Sequence, residues 1–76
     1  MERVTLYLRT PLFSLGTASA HLPTGVTVVE GKVLDQASGG LIVEVSRMLS
    51  GERVLSEAPI RLLIPMSKVD HVHVLE

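Results

Sequence analysis

Alternation of apolar and polar residues on either side of one short polar turn constrains this chain more than any other feature. Leu41, Val43 and Val45 alternate with Ile42, Glu44 and Ser46, and beyond Ser50-Gly51-Glu52 the even positions Val54, Ser56, Ala58, Ile60, Leu62 and Ile64 share one face. A period of two sends successive side chains to opposite sides of an extended backbone, so Leu41–Ile64 is predicted to be a β-hairpin, with Met48 and Leu49 closing its first arm. Its second arm turns Leu55, Glu57, Pro59, Arg61 and Leu63 the other way, a mixture expected at a surface.

The flanking segments follow the same logic. Glu2–Arg9 alternates Val4, Leu6 and Leu8 with Arg3, Thr5, Tyr7 and Arg9 and is predicted to be a half-buried strand, interrupted at Thr10-Pro11 because proline cannot donate to a ladder. Leu12–Leu22 is predicted to be a second strand. Its inward parity changes between Phe13/Leu15 and Ala18/Ala20/Leu22, which calls for a β-bulge near Gly16-Thr17, and Pro23-Thr24-Gly25 ends it as a turn. Val26–Ala37 fits a short helix: Thr27-Val28-Val29-Glu30 matches a capping box, Val29, Val33 and Ala37 recur four apart, and Gly39-Gly40 stands where a left-handed cap belongs. A strand through Val26 and Val28 is the alternative, but further on each face mixes polar and apolar residues. After the turn Pro65-Met66-Ser67, Val69–Leu75 is predicted to be the last strand, Val72 and Val74 on one side and His71 and His73 on the other. The expected architecture is therefore one domain, residues 1–76, mainly β: a β-barrel or strongly curled antiparallel sheet of about five strands, with one short helix.

Composition limits what such a domain can do. Seven basic and eight acidic residues leave a net charge of −1, so no electrostatic footprint points to nucleic acid or an anionic membrane. Cysteine is absent, which removes disulfides and thiolate metal sites. Hydrophobic residues are 46% of 76 and the mean hydropathy is +0.40, a surplus for so small a domain that a homo-oligomer would bury. No apolar run is long enough to span a bilayer, and Met1-Glu2-Arg3 opens on charges, so a cytoplasmic location is expected. Asparagine is absent and Gln36 is the single glutamine, a bias that points to a thermophilic source.

Candidate chemistry is sparse. His71 and His73 lie two apart on one strand, which places both rings on one face, and His21 could supply a third metal ligand from elsewhere. Asp35, Ser38, Gly39 and Gly40 resemble the Asp-x-Ser-x-x-Gly signature of PilZ domains, small β-barrels that bind cyclic di-GMP. The serine falls one position late and no Arg-x-x-x-Arg pair accompanies it; turn chemistry explains the same residues. A nucleophile elbow and a phosphate loop are both missing, so no catalytic residue and no cofactor is expected.

Read as whole segments, Arg3-Val-Thr-Leu-Tyr-Leu8, Phe13-Ser-Leu15, Ala20-His-Leu-Pro-Thr-Gly25, Ser56-Glu-Ala-Pro-Ile60 and the closing strand resemble a family of short bacterial proteins of unknown function. That resemblance implies an SH3-like or Sm-like small barrel and carries no activity. The barrel outline is also similar to that of the Sm-like proteins, whose rings bind RNA, although Ile64-Pro65-Met66-Ser67 replaces their second signature and only Tyr7 and Phe13 could stack on bases. The expected function is a non-enzymatic, self-associating interaction module using Leu55, Leu63 and Leu75; the alternative is a PilZ-like or Sm-like binder of cyclic di-GMP or RNA.

Overall fold

Val43 and Val45 have lost all contact with solvent, and the strand that carries them is the centre of the molecule. The computed structural model describes residues 2–13 and 23–75, which form one antiparallel sheet of six strands and no helix longer than a single 3-10 turn. The strands are β1 (Arg3–Leu12), β2 (Val26–Ala37), β3 (Gly40–Ser50), β4 (Arg53–Ser56), β5 (Ile60–Pro65) and β6 (Val69–Val74); Met66–Lys68 make the 3-10 turn. Spatial order is β4-β3-β2-β1-β6, with β5 beside the first half of β3. The sheet curls around its apolar face without closing into a barrel.

The predicted hairpin is present, with its turn where the polar residues stand: Ser50 pairs Arg53, and Gly51 takes φ +60°. Its second arm is broken, because Glu57–Pro59 leave the ladder between β4 and β5; the Ala58 N–H donates to Ser56 Oγ at 3.2 Å instead. That break corrects the single-face expectation. Ile60, Leu62 and Ile64 face inward as predicted, but a register shift opposite Met48 and Leu49 turns Leu55 onto the core and leaves Val54 41% exposed.

Val26–Ala37 is not a helix. It is the twelve-residue strand β2, paired along its length with β1 and β3. The capping-box residues are employed across the sheet: Thr27 Oγ1 accepts the Gly51 N–H at 3.0 Å, and the Glu30 carboxylate takes Arg47 Nε at 2.9 Å and Nη2 at 3.3 Å. Val29 and Val33 are four apart, a spacing that helix and strand share. The residue that would have distinguished them is Gly31, the inward position between, where a Cβ would run into the carbonyl oxygen of Glu44. β2 crosses β3 there with a register shift, and Ser46 Oγ caps the irregularity by donating to Glu30 O at 3.1 Å.

β1 also departs from expectation, running through Thr10-Pro11 to Leu12. Five steps along β1 from Tyr7 to Leu12 are matched by two along β2, so Pro11 lies in a bulge where its missing N–H costs no ladder bond. Leu12 therefore ends β1; the rest of the predicted Leu12–Leu22 strand, with its Gly16-Thr17 bulge, lies outside the described residues apart from Phe13, which packs on the core at φ +60°. The core itself comes from every layer of the curl: Val4, Leu6, Val29, Met48, Ile64 and Val69 among others.

Candidate functional site

The outer face of β1 and β6 carries both histidines of the last strand. Antiparallel pairing sets Tyr7 opposite His71 and Thr5 opposite His73, so both imidazoles stand on the outward face and Val72 and Val74 on the inner one, as the alternation predicted. The Tyr7 and His71 rings stack, centroids 4.5 Å apart and planes within 10°. His71 Nδ1 is 2.7 Å from Asp70 Oδ2, a hydrogen bond that orients the ring from the other end.

Of the proposed metal ligands, His71 and His73 share a face but gain no third partner: among the described residues no three metal-binding side chains come together. His21 lies outside the described residues. Tyr7 is the neighbour that sequence reasoning missed, and the β1–β6 register is the only signal that could have shown it, because the two residues are far apart in the chain.

Asp35, Ser38, Gly39 and Gly40 come together as the β2–β3 turn. Asp35 Oδ1 accepts the Gln36 N–H at 2.8 Å, Ala37 pairs Gly40, and Gly39 adopts φ +83°. Gly40 is buried where a Cβ would sit 2.6 Å from the Ile64 carbonyl oxygen, and Gly39 O accepts the Met66 N–H at 2.8 Å. These residues are consumed in joining β2, β3 and β5.

A shallow groove of about 280 Å³ crosses the outer face beside Gly31, lined by Arg3, Glu30, Lys32, Glu44, Pro59 and Leu75 among others. Its volume falls just under the roughly 300–1,000 Å³ of small-molecule sites. Its charges answer one another: Glu30 is held by Arg47, Glu44 lies 3.9 Å from Arg61, and Lys32 stands opposite Glu44 in the ladder. Two cations and two carboxylates so arranged create no focused field for a charged ligand.

Of the apolar interface candidates, Leu63 and Leu75 are exposed and Leu55 is half-buried against the core. Val54, Met66, Val72 and Val74 are further large apolar residues at the surface. No family model, curated protein or solved structure matches the chain. Among the described residues no helix is long and apolar enough to cross a membrane.

Proposed function

We propose that this chain is a small curled β-module, SH3- or Sm-like in plan, that works without catalysis by associating with copies of itself. The observation that carries the reading is the apolar surface of so small a sheet: Leu63 is 57% exposed and Leu75 47%, on a molecule whose outer groove carries two cations and two carboxylates, with Glu30 and Glu44 each beside an arginine. Apolar residues removed from water on assembly gain roughly 25 cal/mol for each Å², and the two carboxylates of the groove already have arginine partners within the chain. Light scattering coupled to size exclusion tests the proposal: a multiple of 8.2 kDa is expected, and a clean monomer at high micromolar concentration refutes it. Titration with cyclic di-GMP and with short RNAs should release no heat.

A further inference from the structure

The two ends of the sheet are finished differently. On the β3 side, β4 is only four residues long and begins at Arg53, and β5 carries Arg61 and stops at Pro65, all devices that discourage another strand from pairing. At the opposite end β6 (Val-Asp-His-Val-His-Val) has no proline, lysine or arginine, and among the described residues it has a neighbour, β1, on one side only. The direction of its free groups follows from one bond. The Leu75 N–H donates to Arg3 O at 2.9 Å, so in the alternating antiparallel pattern His73 and His71 also turn their amides toward Thr5 and Tyr7. Val72 and Val74 must then turn N–H and C=O away from the sheet, while their side chains are 37% and 47% exposed.

Resting on the self-association reading above, we infer that β6 pairs antiparallel with β6 of a second copy about a two-fold axis at His73, joining two sheets into one. In this register Val72 faces Val74 of the other copy and each pair exchanges both hydrogen bonds, so the outward amides of Val72 and Val74 are satisfied and β-branched residues meet across the seam. Shifting the axis to Val72 would leave Val72 with Val72 as the one valine pair at the seam and set Val74 opposite Asp70. With the axis at His73, Leu75 lies beside the partner's side of the Tyr7–His71 stack and loses its exposure as well. A standard interface takes about 800 Å² from each partner. That is about a sixth of the 4801 Å² surface, and the seam reaches toward it by covering apolar residues on both faces of the edge. The same patch operates on itself, as a two-fold contact requires.

The chain has no cysteine, so single introduced thiols report the register. His73→Cys places two thiols in a non-hydrogen-bonded pair, about 4.5 Å apart at Cα, within disulfide reach. It should cross-link nearly completely on mild oxidation, while His71→Cys, opposite Leu75 of the other copy, should not. Val72→Pro removes a donor that β1 does not use, so it should abolish association at concentrations where the parent is dimeric while the cooperative thermal transition survives. Failure of His73→Cys to cross-link in an associated protein, or association undiminished in folded Val72→Pro, overturns the edge pairing and leaves self-association through Leu63. A monomeric parent overturns both. If Val72→Pro does not fold, the cross-linking pair alone decides.

Discussion

Val43 and Val45 on β3 and Val72 and Val74 on β6 are the same residue at the same spacing on the same inner side of the sheet, yet the first pair is sealed from solvent and the second is not. The difference lies in their neighbours. β3 has β2 on one flank and β5 and β4 on the other, so its valines are covered from both sides; among the described residues β6 has β1 alone. Burial of these inner-face valines thus follows position in the sheet order as well as the pattern along a strand.

The sharpest way to probe the covered region is to fill its one backbone crossing. Gly31→Ala drives a methyl into the Glu44 carbonyl and should cost about 3 kcal/mol or more in urea unfolding, because neither backbone can retreat without breaking the β2–β3 ladder. Gly40→Ala meets the Ile64 carbonyl at 2.6 Å and should cost somewhat less, since β5 can shift outward at the sheet edge.

The comparison itself is tested by the same truncation at both places. Val45→Ala should lose about 2 kcal/mol at any protein concentration, through lost burial and a residual cavity. Val74→Ala should change the unfolding of dilute protein by no more than about 0.5 kcal/mol. It should cost more as concentration rises, because a partner that binds only the folded state adds stability by mass action. An equal cost at the two positions in dilute protein would mean that a single copy already covers β6, and the contrast between the strands would collapse.

Electrostatics should contribute least. A double-mutant cycle on Glu30 and Arg47, bonded through both guanidinium nitrogens with side chains 33% and 41% exposed, should return roughly 0.5–1 kcal/mol that shrinks with added salt. Glu44 and Arg61, 3.9 Å apart and more exposed, should show no measurable coupling.

Most strands could be read from the chain, and the places where reading failed have a common cause. The hairpin turn at Gly51, the inward set Ile60, Leu62 and Ile64, and the separation of valines from histidines on β6 all follow from a period of two. β2 imitates a helix in its sequence because Gly31 blanks the central member of its inward row, and because Thr27 and Glu30 can serve a cap or a cross-sheet partner equally well. Leu55 and Val54 exchange faces because the β3–β4 register shifts opposite Met48 and Leu49, and parity is not carried across such a shift.

Alternation along each strand is a local property of the chain, and it is enough to specify a β-structure with Leu6, Val43, Val45 and Ile64 inside. Which strand lies beside which came from the three-dimensional fold: Tyr7 stacks on His71, Gly31 passes under Glu44, and β6 has, among the described residues, a neighbour on one side only, with Val72 and Val74 partly exposed on the inner face. Strand order depends on pairings between residues distant in the chain, and a repeat of two is identical in every strand, so it says which face a side chain takes and nothing about who stands next to it.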